Sequence, residues 1–138
     1  MAQTDRDDGR EKVLSLVSKA QVCMMATHAG SDVLHSRPMV AQHQERDADL
    51  WFFTDAGSRK VREIEANPRV LLDYCDPSGQ NYVSILGDAH VVHDARKAKE
   101  LWSEGMRVWF PTGPDDPGLA LIRVDAKQAE YWSAATLA

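Results

Sequence analysis

Short β-prone runs, each closed off by turn residues, recur from Val22 to Trp132. Bare strand edges invite association with other chains, so several strands in one small chain must close on one another or cover their margins. The natural solution is a closed or partly closed antiparallel barrel. A first strand, Val22 to Thr27, is separated by Ala29-Gly30-Ser31-Asp32 from a second, Val33 to His43. The polar stretch Gln44 to Ala48 leads into a short apolar strand, Leu50 to Thr54. Val70 to Cys75 and Tyr82 to His93 flank the turn Pro77-Ser78-Gly79, with a bulge expected at Gly87. Two final strands are expected at Leu119 to Val124 and Gln128 to Trp132. The pattern amounts to about six strands, mostly pairing with antiparallel neighbours, and two or three helices.

The helices have their own signals. Val13, Leu14, Leu16, Val17 and Ala20 recur at helical spacing, with Asp7 or Asp8 as a cap. Ser58 is placed to cap a helix running to Ala66, which Asn67-Pro68 stops. Asp94 is placed to cap another, from Ala95 to about Trp102, and a Pro/Gly-rich loop follows from Phe110 to Gly118.

The 138 residues suit one domain, with 1–10 as a frayed tail and 11–138 as the folded unit. A net charge of −5 argues against nucleic acid or an acidic membrane surface as a main partner, since both need a dense basic face. The N-terminus, MAQTDRDDGREK, lacks the apolar core of a signal peptide, and no later stretch could span a bilayer. The cytoplasm is the expected location. Cys23 and Cys75 form no CxxC pair and no zinc spacing, and read as two buried or half-buried thiols in a reducing compartment.

The strongest chemical candidate is FFTDAGSRK, Phe52 to Lys60. A strand ends in the hydroxyl of Thr54. A glycine-containing loop then opens a helix whose first turn carries Ser58, Arg59 and Lys60. A helix N-terminus presents unpaired N–H groups and partial positive charge, so two cations and two hydroxyls there suit a phosphate. On spacing alone, a surface helix start with Arg and Lys facing water fits as well. Cations at that end oppose the helix dipole, however, and an anion would relieve the misfit. The segment is neither a Walker P-loop nor a GxGxxG fingerprint. The second candidate is Ser36-Arg37-Pro38-Met39. Pro38 removes a ladder donor inside a strand, so it marks an edge, a bulge, or a place where something other than a strand faces the backbone. Freed backbone groups could bond a flat heterocycle, and Arg37 could reach a phosphate or ring oxygen. An edge proline beside an exposed arginine fits equally.

Taken together, these residues resemble a known family. The order R-P-M, then WFFT-D-x-x-S-R-K, then helix-N-P-x-V, then Y-V-S-I-x-G-x-A is similar to the pyridoxamine 5′-phosphate oxidase-like family of FMN-binding split barrels. Within it, the general stress protein 26 type is the nearest pattern. The resemblance runs from about Leu14 to Trp132. It implies a mainly β fold, a six-stranded antiparallel split β-barrel with flanking helices, working as a homodimer with FMN between protomers. It implies that Arg37, Thr54, Ser58, Arg59 and Lys60 lie along the ribityl phosphate, and that backbone around Pro38, Met39 and Val40 faces the isoalloxazine. Tyr82 and Ser84 would come from the opposing subunit, and Trp132 would lie close to the cofactor. The implied activity is a two-electron oxidoreduction of stress metabolism, with NAD(P)H as a candidate reductant. A non-enzymatic flavin-buffering protein and a deazaflavin (F420) reductase are the alternatives.

Two departures matter. The true oxidases carry a lysine five residues after the first arginine, where this chain has Gln42. They also end in an arginine- and histidine-bearing segment that holds the B6 phosphate, whereas this chain ends YWSAATLA. Vitamin B6 oxidation is therefore not expected. Metal catalysis is not expected either: His90 and His93, three apart, face opposite sides of a strand. No residue stands out as a catalytic acid or base. Trp102, Trp109 and Phe110 read as core or dimer-interface packing.

Overall fold

The computed structural model describes residues 13, 15–17, 22–42 and 49–134. Six antiparallel strands close into a barrel in the order β1-β2-β3-β6-β5-β4. They are β1 (Val22–His28), β2 (Leu34–Gln42), β3 (Leu50–Asp55), β4 (Arg69–Asp76), β5 (Asn81–Val92) and β6 (Leu119–Trp132). Helix α1 (Arg59–Ala66) follows β3, and α2 (Ala95–Leu101) follows β5. Residues 13 and 15–17 are helical, as their spacing predicts. The cap expected at Asp7 or Asp8, the tail 1–10 and the turn near Gln44 lie outside the described residues.

Alternation along the strands builds the core. Cys23, Met25 and Thr27 of β1 point inward, as do Val70, Leu72 and Tyr74 of β4 and Val83, Ile85 and Ala89 of β5. Strand β3 is buried on both faces, which explains why it reads as an unbroken apolar run. Leu50 and Phe52 enter the barrel core. Trp51 and Phe53 face a second cluster built from Ala98, Leu101, Phe110 and Leu121. Of the aromatic residues read as core or interface packing, Phe110 is buried in that cluster and Trp102, half-buried, packs edge-on against Phe53 at 5.9 Å, so both take core positions. Trp109 alone of the three is exposed.

The two final strands expected from the sequence are one. β6 runs unbroken through Asp125-Ala126-Lys127, because Gly87 pairs with Ala126 and Asp88 with Asp125 across the sheet. The polar triplet reads as a turn in isolation; paired with β5 it becomes an irregularity, since Leu86 opposes Gln128 while Gly87 opposes Ala126. The expected bulge at Gly87 is present, with Lys127 as the extra residue. A Cβ at Gly87 would come within 2.7 Å of the Asp125 carbonyl oxygen, so only glycine fits that approach.

Among the described residues the seam between β2 and β3 is short, with Ala41↔Phe52 and Gln42↔Trp51 as its pairs. From Leu34 to Val40, β2 is paired with β1 alone among the described residues. Pro38 falls in that one-sided stretch, which is the edge position its missing donor requires.

Candidate functional site

The loop after β3 brings four of the five sequence candidates to one end of α1. Thr54 is buried at the end of β3, held by its pairing with Ala120. Ser58 occupies the N-cap position, but its side chain makes no capping bond. Its Oγ lies 3.4 Å from Thr54 Oγ1 instead, so Ser58 takes the N-cap position without doing the capping expected of it. By contrast Asp94 caps α2 as expected, accepting from the Arg96 and Lys97 amides. Lys60, half-buried in the first turn of α1, donates from Nζ to Thr54 Oγ1 at 3.2 Å. Two hydroxyls and an ammonium thus meet over the start of the helix.

The electrostatics of Lys60 are unusual. Burial lowers its pKa, the neighbouring Arg37 guanidinium lowers it further, and Asp55 only partly opposes them. Among the described residues Lys60 makes no ion pair. A cation held in a half-buried place beside another cation is destabilised, and an anion close by would relieve Lys60.

Arg37 arrives from the less exposed face of β2, which it shares with His35 and Met39. It is not free. Its Nη1 donates to Thr27 Oγ1 at 2.7 Å and to the Met25 carbonyl at 3.2 Å, and its Nη2 to Glu63 Oε1 at 3.0 Å. Glu63, buried on α1, also accepts from Thr27 Oγ1 at 2.7 Å and from His35 Nδ1 at 2.9 Å. Burial pushes the Glu63 carboxyl up, but the hydrogen bonds from Thr27, His35 and Arg37 outweigh it and hold the pKa at about 2. Arg59 is mostly exposed and reaches Glu63 Oε2 only at 3.7 Å.

Sequence reasoning missed Thr27, His35 and Glu63. Two of them carried a signal. Glu63 stands four residues after Arg59, one helical turn on, and His35 stands two before Arg37, on the same face of a strand. Thr27 carried none, because a buried threonine in an apolar strand reads as core.

The remaining candidates fall elsewhere. Met39 is buried in the core and Val40 is exposed on the outer face of β2. Tyr82 pairs with Trp132 across β5 and β6, and Ser84 lies two residues along. Among the described residues none of these three bonds to the Arg37–Lys60 cluster. A cavity of about 570 Å³ lies between the β1–β2 turn and the outer side of α1, lined by His28, Gly30, Ser31, Arg59, Arg62 and Glu63. It borders Glu63 but not Thr54, Ser58 or Lys60.

A closed six-stranded antiparallel barrel with a cation and hydroxyl cluster at the β3–α1 junction defines a class of small split-barrel proteins. The sequence profile described as "Pyridoxamine 5'-phosphate oxidase like" matches residues 8–137, and the chain belongs to that family. Its fold is similar to that of a general stress FMN/FAD binding protein from Xanthomonas citri, with a TM-score of 0.79 and 27% identity, covering 90% of this chain and 87% of that one. It is 24% identical over 127 residues to protein bli-3 of Neurospora crassa, covering 85% of this chain and 61% of that protein. It is 36% identical over 74 residues to a pyridoxine/pyridoxamine 5′-phosphate oxidase of a Shewanella species, covering 54% of this chain and 31% of that enzyme. The chain thus spans less than two thirds of the length of the curated relatives it matches.

Proposed function

We propose that the protein is a homodimeric, FMN-binding oxidoreductase of the general stress type. The observation that carries this reading is the placement of Lys60 on Thr54, beside Arg37 and without an acidic partner of its own among the described residues. Lys60, Thr54, Ser58 and Arg37 would hold the phosphate, with Arg59 adding longer-range charge. Tyr82, Ser84 and Trp132, grouped on β5 and β6, would meet the flavin from the partner protomer. FMN, when bound, supplies two-electron redox chemistry, with NAD(P)H as the proposed reductant; the protein contributes binding and orientation. The Xanthomonas relative, named for FMN/FAD binding, supports the cofactor class. The test is a fluorescence titration with FMN and riboflavin, followed by NAD(P)H oxidation under air. FMN preferred over riboflavin supports the phosphate site. Equal affinities would remove its basis.

The dimer face we propose lies on β1, β2 and β4 rather than on Trp102, Trp109 and Phe110. Val22 and Met24 of β1, Leu34 and Val40 of β2 and Leu71 of β4 are all exposed on adjacent strands. Val22 pairs with Val40 and Met24 with Pro38, so these four form an apolar strip at one end of the β1–β2 face, with Leu71 diagonal to Met24 and Ser36 separating Leu34 from the rest. Such a strip on a small protein needs a cover, and a second copy offers a self-complementary one. Met24→Asp is expected to convert the dimer to monomer in light scattering while leaving the barrel's circular dichroism intact. A wild type that is monomeric at micromolar concentration would rule this face out.

The pyridoxamine oxidase reaction itself is not proposed. After Asp125 the chain has a single basic side chain, Lys127, and it is turned to Asp125 at 2.7 Å. Residues 126–138 therefore offer a second phosphate only one cation, already turned to Asp125, and weakening several charge-assisted contacts compounds in affinity and orientation. Reconstituted with FMN under air, the protein is expected to form negligible pyridoxal 5′-phosphate from the pyridoxamine or pyridoxine phosphate. Turnover within about tenfold of an authentic oxidase would mean that other cations rebuild the pocket.

A further inference from the structure

Arg37, Thr27 and Glu63 form a closed ring of hydrogen bonds. Arg37 Nη1 donates to Thr27 Oγ1 at 2.7 Å, Thr27 Oγ1 donates to Glu63 Oε1 at 2.7 Å, and Arg37 Nη2 donates to the same Oε1 at 3.0 Å. Each member comes from a different element: β1, β2 and α1. Thr27 has no exposed surface at all. A threonine hydroxyl carries one proton, so donating it to Glu63 leaves the oxygen free only to accept, and it accepts from Arg37. The direction of every bond in the ring is therefore set. A guanidinium has five N–H donors. Three are spent on Met25, Thr27 and Glu63. The donors that remain cannot turn without breaking the ring.

We infer that Thr27 and Glu63 are positioning residues, which lock the Arg37 guanidinium so that its unspent donors face the flavin phosphate. The inference rests on the phosphate reading proposed above. Neither residue touches the phosphate; each acts through Arg37. A site held this way forms its anion contacts without first ordering a long side chain, which is one of the costs of an arginine contact. Glu63 also keeps Arg37 paired when no anion is bound, so the guanidinium is not left half-buried and uncompensated.

The test compares FMN with riboflavin, because their difference isolates the phosphate. Thr27→Val keeps shape and charge while deleting the hydroxyl. It is expected to raise the FMN dissociation constant roughly tenfold and leave that of riboflavin unchanged, while Thr27→Ser restores FMN binding to within about threefold of wild type. Glu63→Asp keeps the charge but draws the carboxylate back by one methylene, and is expected to act in the same direction. It serves as a second probe should Thr27→Val fail to fold. An FMN-to-riboflavin ratio unchanged in the variants that fold would overturn the clamp, as would equal weakening of both flavins, which marks a purely structural role. A wild type that does not distinguish FMN from riboflavin is a separate result: it removes the phosphate site itself, and the clamp with it.

Discussion

Replacing Lys60 with alanine is expected to weaken FMN binding about tenfold to a hundredfold while leaving riboflavin nearly unaffected. A charge-assisted bond to phosphate is worth about 1.5–3 kcal/mol, and Lys60 is the cation best placed to make one. Its ammonium rests on a neutral hydroxyl, Thr54 Oγ1, so an incoming phosphate displaces no ion pair. Burial and Arg37 both destabilise its charge, and a phosphate would restore what they take away. Arg59→Ala is expected to do less, because Arg59 is mostly exposed and already leans toward Glu63. Fluorescence quenching with both flavins measures the contrast. If Arg59→Ala proves the more damaging change, the phosphate sits on the outer side of α1, toward the cavity lined by Arg59 and Arg62, and the assignment to Lys60 and Thr54 is wrong.

Arg37→Met is expected to cost the unliganded protein about 3 kcal/mol of stability at neutral pH. Methionine retains most of the apolar stem but removes the guanidinium. Glu63 then stays buried as a carboxylate with Thr27 and His35 as its main partners, and breaking a pair on one side is costly because the other charge remains in place. The effect must depend on pH. Glu63 is held at about 2 in the folded protein against an ordinary value of 4.5. A carboxylate held low contributes its full stability above its ordinary value and loses it as pH falls toward the folded value. The gap between wild type and variant should therefore be full at pH 7 and close between about pH 4.5 and 2. Denaturant midpoints at pH 7, 5 and 3 would measure it. A gap that stays constant over that range would show that the guanidinium stabilises the fold through its bonds to Thr27 and the Met25 carbonyl rather than through Glu63.

Much of the barrel was legible in the chain because its signals are local. Period-two burial in Val22 to Thr27 and Val70 to Cys75, the Asn67-Pro68 stop and the Asp94 cap depend only on neighbours in sequence, and each appears in the fold. The β3–α1 junction was legible for the same reason: Thr54, Ser58 and Lys60 lie within seven residues, and a strand followed by a helix leaves little choice about where they meet. Local signals also misled. Asp125-Ala126-Lys127 looks like a turn until β5 pairs with it, and Ser58 looks like a cap until Thr54 comes alongside.

What only the tertiary structure decided is the state of Arg37. The sequence determined that an arginine stands beside an edge proline, and that a hydroxyl and cation cluster opens the following helix. It held nothing to say that Thr27, ten residues earlier, and Glu63, twenty-six later, would close a ring around that arginine. Barrel closure brings β1, β2 and α1 together at one end, and there the cost of burying a carboxylate can be met only by whichever donors the closure supplies. Hydrophobic period and turn chemistry are properties of a segment. The pairing of a buried charge belongs to three segments at once, so it exists only after the chain has folded.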